Sequence, residues 1–282
     1  MPSDTKVLAV FAHPDDEFFL CAGTFAQFVD AGVEVVLVSA TRGEEGEIAD
    51  VVDATRETLG EVRERELRLA MKEIGVEDVR FLGYRDSGMD GTPENEHPES
   101  LAQADAEVVG AQIRSIVDEV RPTILIAFGP EGLYLHPDHI AVHRASMASV
   151  AMAAADSSAH RPEILVFVTM PRAPFLEVWS QPGNMFEDIP YEKVIQMGTP
   201  EEEITHTVDV EPFIDRKMAA LRQHRSQIGD DEPLSQFDPE FAQILLRYER
   251  FRQQHLPWNT REERSFPLGR AHLAGSTGPL IP

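Results

Sequence analysis

The sequence predicts an α/β protein of the Rossmann-like class, with a mostly parallel sheet, helices on both faces and a C-terminal extension. Short apolar runs rich in β-branched residues recur along the first 170 residues, and segments with helical spacing separate them. The chain of 282 residues is also long enough to bury a large core. Strands that alternate with helices favour a parallel sheet, and we expect the strand order 3-2-1-4-5.

The elements of this sheet follow one another in regular order. Strands are expected where β-branched and other apolar residues dominate, at 7–11, 33–39, 79–82, 123–128 and 164–169. Helices are expected where apolar residues recur every three or four positions, at 17–30, 56–74, 103–120 and 139–155. Each helix thus lies between two strands, as a crossover connection requires.

Beyond residue 170 the pattern weakens, because prolines recur and no long periodic run remains. We expect loops with short strands, then helices at 211–228 and 238–254. The glycines and prolines of 256–282 predict an irregular C-terminal tail. Residues 1–255 are therefore predicted to form one domain.

The composition indicates which kinds of partner and which cellular compartment we expect for the protein. Lysine and arginine number 25 against 49 aspartate and glutamate, so the formal net charge is -24 at pH 7. Such a surface repels phosphate backbones and anionic lipids, so we expect no nucleic-acid and no membrane partner. The single cysteine, Cys21, cannot form an intramolecular disulfide, and the apolar run at 7–11 is too short for a signal peptide or a membrane span. We therefore expect a cytoplasmic protein.

Two clusters of potential metal ligands follow the first and fourth predicted strands. His13, Asp15, Asp16 and Glu17 lie in the first cluster. The second cluster is the run His-Pro-Asp-His at 136–139. In open α/β sheets ligands bind beyond the carboxyl ends of the strands where the strand order reverses, which is between strands 1 and 4 here. Both clusters are therefore predicted to meet at one site.

These residue types are typical of a catalytic zinc site. Two imidazoles and one carboxylate leave a coordination position open, and Fe²⁺ accepts the same ligands. A neighbouring carboxylate that does not bind the metal can take a proton from water. Each cluster alone has a simpler interpretation, because Asp15 and Asp16 could cap one helix and His136 and His139 another. The coincidence of both clusters at one edge favours a functional site.

The two motifs together closely resemble those of the LmbE/PIG-L family of zinc-dependent N-deacetylases, which includes the deacetylase of the mycothiol pathway. Further blocks match in order along residues 5–230. They are Thr-Arg-Gly-Glu-Glu-Gly-Glu at 41–47, Arg-Glu-Arg-Glu-Leu at 63–67, Arg-Asp-Ser-Gly-Met at 85–89, and Lys217 with His-Arg-Ser-Gln at 224–227.

The resemblance implies a role for each matching position. One zinc ion per chain would be held by His13, Asp16 and His139. Catalysis would involve Asp15 as general base, His136 as an imidazolium-type partner of the oxyanion or the leaving amine, Asp138 as the carboxylate that orients an imidazole, and Tyr134 as an oxyanion donor. Substrate hydroxyls would be held by Glu47, Arg63 and Asp86. Tyr134 could instead be a packed loop aromatic, and His224 is a weaker candidate for lining the site.

The resemblance therefore implies a hydrolase that removes an N-acyl group, in the first place acetyl, from an amino sugar such as an N-acetylglucosamine glycoside. A non-haem Fe(II) oxygenase with two histidines and one carboxylate is one alternative, which oxygen consumption with a keto-acid cosubstrate would favour. A non-catalytic metal- or sugar-binding protein is the other, which bound metal without hydrolysis would favour. The expected partner is a small molecule, and the tail could serve a homo-oligomer.

Overall fold

A computed structural model describes residues 4–49, 54–180, 189–228, 246–259 and 264–271. The strands in these residues are β1 (Lys6–Phe11), β2 (Glu34–Ser39), β3 (Asp78–Phe81), β4 (Ile124–Phe128), β5 (Ile164–Thr169), β6 (His206–Asp209), β7 (Tyr248–Gln254) and β8 (Arg270–Ala271). They form one sheet in the order β3-β2-β1-β4-β5-β7-β6-β8. The predicted order 3-2-1-4-5 and the five predicted strands are confirmed.

The α-helices of the described residues are α1 (Asp16–Asp30), α2 (Leu59–Ile74), α3 (Ala106–Val120), α4 (Gly132–Leu135), α5 (Pro137–Ala155), α6 (Arg172–Trp179), α7 (Tyr191–Val194), α8 (Ile214–Leu221) and α9 (Arg225–Ile228). Short 3₁₀ helices cover Pro93–Glu96, Leu101–Gln103, Glu201–Glu203 and Glu211–Phe213. The four predicted crossover helices are confirmed as α1, α2, α3 and α5. None of the helices in the described part of the chain is both long and apolar enough to cross a membrane.

The parallel part of the sheet is buried on both faces. Strands β1 and β4 lie next to each other with Ala9 opposite Ile126, and all five residues of β4 are buried. Helix α3 packs against α5, while α1 and α2 pack against α8. These two groups of helices cover opposite faces, as right-handed crossovers require. The carboxyl ends of β1 and β4 therefore open onto the same edge.

The helix predicted at 238–254 is wrong over its last seven residues, which form β7. This strand pairs antiparallel with β5 on one side and with β6 on the other. Its sequence, YERFRQQ, has the composition of an exposed helix. Backbone hydrogen bonds to two neighbouring strands, and the burial of Phe251, outweigh this local preference. Residues 238–245 lie outside the described residues.

The remaining differences also lie in the C-terminal half. The expected loop after residue 170 contains α6, in whose first turn Pro174 is tolerated. The helix predicted at 211–228 is divided into a 3₁₀ turn, α8 and α9. From the predicted tail, Phe266 and Leu268 are buried against the core, and β8 extends the sheet. The boundary of the domain at residue 255 stays a prediction.

A buried ion pair joins β7 to α1, the helix that begins at the site. Helix α1 is interrupted at Cys21, whose φ and ψ are −160° and 15°. The carboxylate of Glu249 accepts hydrogen bonds from the backbone N–H groups of Gly23 (2.9 Å) and Thr24 (2.7 Å) beyond the interruption. Lys217 Nζ lies 2.8 Å from the same carboxylate, and both side chains are fully buried. Residues of α8 and β7 thus fix the helix that carries the first cluster.

Candidate active site and metal centre

The two predicted clusters lie side by side at the carboxyl ends of β1 and β4. The ring centroid of His13 is 4.6 Å from that of His136 and 5.3 Å from that of His139. The side chains of His13, His136 and His139 offer ligand atoms within 4.8 Å of one another, and so do those of His13, Asp86 and Asp138. The meeting of the clusters predicted from the strand order is confirmed.

The N-terminus of α1 orients the two aspartates differently. Asp16 Oδ2 accepts hydrogen bonds from the backbone N–H groups of Ala12 (3.1 Å) and His13 (2.8 Å), so its carboxylate is fixed inside the loop. Asp15 occupies the N-cap position with φ 110° and ψ −21°, and its side chain makes no capping hydrogen bond. A non-glycine residue in this region is strained, which is typical of functional sites. The simple capping interpretation therefore does not account for Asp15.

The second cluster follows a strained loop. Leu133 and Leu135 have φ angles of 60° and 68°. His136 is the N-cap of α5, because its Nδ1 accepts a hydrogen bond from the backbone N–H of Asp138 at 3.2 Å. Nδ1 of His136 therefore caps α5, as the simpler interpretation predicts, and Nε2 takes no part in this cap. The ring of His139 stacks on Phe128 at 4.0 Å and 7°.

The chemistry of the predicted ligand set fits a metal ion. His139 Nδ1 donates to the carbonyl oxygen of Gly132 at 3.2 Å, which assigns the lone pair to Nε2. That Nε2 is buried and has no hydrogen-bond partner among the described residues. It lies 3.1 Å from Asp16 Oδ1, so a positive charge is needed between these two electron-rich atoms. Either a proton or a cation that binds to both would supply that charge.

The third predicted ligand, His13, is oriented by Asp138. His13 Nε2 donates to Asp138 Oδ2 at 3.0 Å, which leaves the lone pair on Nδ1, 3.7 Å from Asp16 Oδ2. Asp138 is fully buried and is held in turn by Ser87, whose backbone N–H donates to Oδ2 at 3.0 Å and whose hydroxyl donates to Oδ1. Carboxylates that fix the tautomer of a ligating histidine are typical of metal sites.

The charges at this cluster also favour a cation. Burial lowers the pKa of His13, but Asp86, Asp138 and Asp16 outweigh burial and raise it well above its usual value. Burial raises the pKa of Asp16 and of Asp86, yet the neighbouring imidazoles hold both below the usual range. Three carboxylates thus stabilise positive charge at one buried position, which a metal ion would supply in place of the His13 proton.

Asp15 has the properties of a proton acceptor. Burial raises its pKa, Arg63 opposes this, and Asp16 adds to it, with a net increase. The side chain keeps 28% exposure and can reach a solvent molecule or a substrate. Arg63 Nη2 donates to Asp15 Oδ2 at 2.9 Å and to the carbonyl oxygen of Pro14 at 2.5 Å. Arg63 therefore holds Asp15 in this structure, in addition to the substrate contact implied by the resemblance.

His136 and Tyr134 lie beside the ligand set. Burial and the neighbouring His13 and His139 lower the pKa of His136 to about 2, so its imidazole is neutral and its Nε2 is a hydrogen-bond donor. This differs from the expected imidazolium. Burial raises the pKa of Tyr134, whose ring meets that of His139 edge-on at 5.3 Å. Both groups are therefore neutral donors.

Asp86 and Glu47, two of the implied sugar-binding residues, differ in burial and in their contacts. Asp86 is buried, accepts from the backbone N–H of Gly88 at 2.9 Å, and lies 3.6 Å from His13 Nε2. Glu47 is exposed in the 41–49 loop, where its carbonyl oxygen accepts from Gln227 Nε2 at 2.9 Å. Asp86 thus lies buried beside His13, and Glu47 lies in an exposed loop.

Sequence reasoning gave no role to Ser87 or Phe128, and it placed Glu17 in the first cluster without predicting its partner. Glu17 is buried and its Oε1 lies 2.7 Å from Nε2 of the buried His224. Burial lowers the pKa of His224, but Glu17 and Asp15 outweigh burial and the opposing Arg63, so the pKa is raised. The matching blocks at 85–89 and 217–227 were the available signals, although neither shows which residues meet in space.

Together the fold and the site define a Rossmann-like α/β protein whose buried His-His-Asp cluster could hold a metal beside a strained carboxylate. The sequence model described as "PIG-L: GlcNAc-PI de-N-acetylase" matches residues 8–150, about half of the chain. The chain belongs to this family.

The relatives cover most of the chain. A protein of Acidothermus cellulolyticus named 1D-myo-inositol 2-acetamido-2-deoxy-alpha-D-glucopyranoside deacetylase is 40% identical over 246 residues, which are 81% of each chain. A protein of the same name from Thermobifida fusca is 35% identical over 80% of this chain and 85% of its own. Among solved structures, N,N'-diacetylchitobiose deacetylase from Pyrococcus horikoshii matches with a TM-score of 0.62 and 22% identity, covering 89% of this chain and 84% of its own. The last similarity supports the fold.

Proposed function

We propose that the protein hydrolyses the N-acetyl group of an amino sugar glycoside, with Asp15 as the general base. The observation that carries this proposal is the strained, partly exposed Asp15 beside the buried group of His13, Asp16 and His139. The family and the names of the relatives support the same reaction. They also favour a deacetylase over the oxygenase and the non-catalytic binding protein considered above.

A metal ion would be held by Nδ1 of His13, the carboxylate of Asp16 and Nε2 of His139. Two nitrogens and one oxygen favour zinc, although Fe²⁺ accepts the same set. When bound, the ion would polarise the acetyl carbonyl and make a water molecule more acidic. We propose one such ion per chain.

Side chains of the protein carry out the proton transfers and stabilise the developing negative charge. The Asp15 carboxylate takes a proton from the attacking water as the water oxygen bonds to the acetyl carbon. Neutral His136 donates a hydrogen bond from its Nε2–H to the oxygen that becomes negative, and the Tyr134 hydroxyl would assist as a second hydrogen-bond donor. Asp15 then gives its proton to the sugar nitrogen as the carbon–nitrogen bond breaks, which yields acetate and the free amine. Arg63 keeps Asp15 in place through both transfers.

The class of substrate is inferred from the relatives and from the residues that the resemblance assigns to sugar binding. The names of the relatives specify an N-acetylglucosamine glycoside of inositol, which is the first substrate to test. Glu47, Arg63 and Asp86 would hold hydroxyl groups, since charged partners discriminate strongly among polyols. The cytoplasmic location and a homo-oligomer stay predictions.

The test measures primary-amine release by zinc-loaded protein from this glycoside, from N-acetylglucosamine and from its short oligomers. Asp15→Asn should lower kcat by at least about 100-fold with an unchanged zinc content, since a positioned base contributes roughly 10²–10⁴-fold. The matched control is Asp30→Asn at the other end of α1, where the exposed carboxylate pairs with Arg216. A kcat of Asp15→Asn within a few-fold of wild type would refute the assignment.

A further inference from the structure

We propose that His224 is a positioning residue for Asp15 and that it acts through the carboxylate of Glu17. This inference rests on the proposed role of Asp15 as the base. His224 comes from the link between α8 and α9, 207 residues along the chain from Glu17. It gives a role to the block at 217–227, which the reaction itself does not use.

One buried carboxylate connects the two residues. His224 Nε2 donates to Glu17 Oε1 at 2.7 Å, and the backbone N–H of Asp15 donates to Glu17 Oε2 at 2.9 Å. The side chains of His224 and Glu17 are 0% and 1% exposed. Rotation of the Glu17 side chain would therefore break the bond to Asp15, and the bond from His224 opposes that rotation.

Asp15 needs such support because its backbone is strained. Its φ of 110° lies in a region that residues other than glycine rarely adopt, and such a conformation persists only where the surrounding structure holds it. Arg63 holds the carboxylate end of Asp15, while Glu17 holds its backbone end. These two contacts therefore hold Asp15 at both ends.

A purely structural role explains His224 less well. Its Nδ1 is buried and has no hydrogen-bond partner among the described residues, which is unfavourable for a group that only fills space. The neighbouring residues of the same segment already attach it to the protein, because Ser226 Oγ donates to Glu66 at 2.6 Å and its carbonyl accepts from Ala49 N–H at 2.9 Å. The bond to Glu17 is therefore the contact that an imidazole specifically provides.

The experiment compares His224→Gln with His224→Asn in zinc-loaded, full-length protein. The glutamine amide nitrogen lies about as far from the backbone as Nε2 of histidine and can donate to Glu17, whereas asparagine is too short. We expect His224→Asn to lose about 10–100-fold in kcat with KM changed less than about threefold, and His224→Gln to recover most of kcat. The control is His206→Asn in β6. The side chain of His206 is also buried but lies away from the site, with its Nε2 2.8 Å from Ser265 Oγ.

Glu17→Gln tests whether the effect passes through Glu17. If it does, His224→Asn should lower kcat much less in the Glu17→Gln background than in wild type. Equal kcat losses in both backgrounds, or equal kcat for His224→Asn and His224→Gln, would overturn the positioning role.

Hydrogen exchange of the Asp15 amide separates this inference from the proposed function. Exchange should be faster in His224→Asn than in wild type and in His206→Asn, and this measurement requires no substrate. Wild-type protein that releases no amine, with faster exchange in His224→Asn, would refute the function and keep the contact. An unchanged exchange rate would overturn the inference even for an active enzyme.

Discussion

Substitution of Asp138 by asparagine tests how the protein orients a metal ligand. The carboxylate accepts from His13 Nε2 at 3.0 Å, from Ser87 N–H at 3.0 Å and from the Ser87 hydroxyl. In Asp138→Asn the amide oxygen can keep the first two contacts if the amide nitrogen faces the Ser87 hydroxyl. The fold should survive, but the bond to His13 changes from a charge-assisted bond to a neutral one, a loss of about 1 kcal/mol.

This loss corresponds to a metal Kd raised roughly fivefold. Competition with a chromophoric chelator measures the Kd, and thermal unfolding of the metal-free protein measures the cost to the fold. Ser87→Ala is the matched control, since it removes one hydrogen bond to the same carboxylate but keeps its charge, and its metal Kd should change by less than about twofold. A lower Tm for Asp138→Asn with an unchanged metal Kd would show that Asp138 serves the fold alone.

Three further predictions concern other parts of the molecule. His136→Asn should lower kcat about 10²–10³-fold with full metal content by elemental analysis, because asparagine can still cap α5 but is too short to place a donor where Nε2 lies; an equal loss of metal would make His136 a ligand instead. Lys217→Met should lower the free energy of unfolding by roughly 3–5 kcal/mol in urea titrations, because it leaves Glu249 buried without its cation, and added Glu249→Gln should restore part of it. The raised pKa of His224 means that its protonation stabilises the fold fully below about pH 6.5 and that this contribution disappears as pH rises through the folded-state pKa. The Tm advantage of wild type over His224→Gln should therefore shrink from pH 6 to pH 9, and a constant difference would contradict the shift.

The sequence by itself determined the parallel half of the sheet and the position of the site. Strands such as β1 and β4 are continuous apolar runs, and topology requires their carboxyl ends to meet where the strand order reverses. His13 and His139, which follow these ends, could therefore be placed together without coordinates. Local pattern suffices there because burial on both faces requires nearly every residue of a strand to be apolar.

Only the tertiary structure decided the contacts that connect distant segments. The charged run of β7 is a strand because two neighbouring strands supply its hydrogen bonds, and local propensity is too weak to oppose them. Likewise, Arg63 beside Asp15 and His224 beside Glu17 depend on where α2 and the link from α8 to α9 lie on the sheet. A side chain's partner is set by its distance in space, and for residues separated by 207 positions only the packed fold brings the two atoms within hydrogen-bond distance.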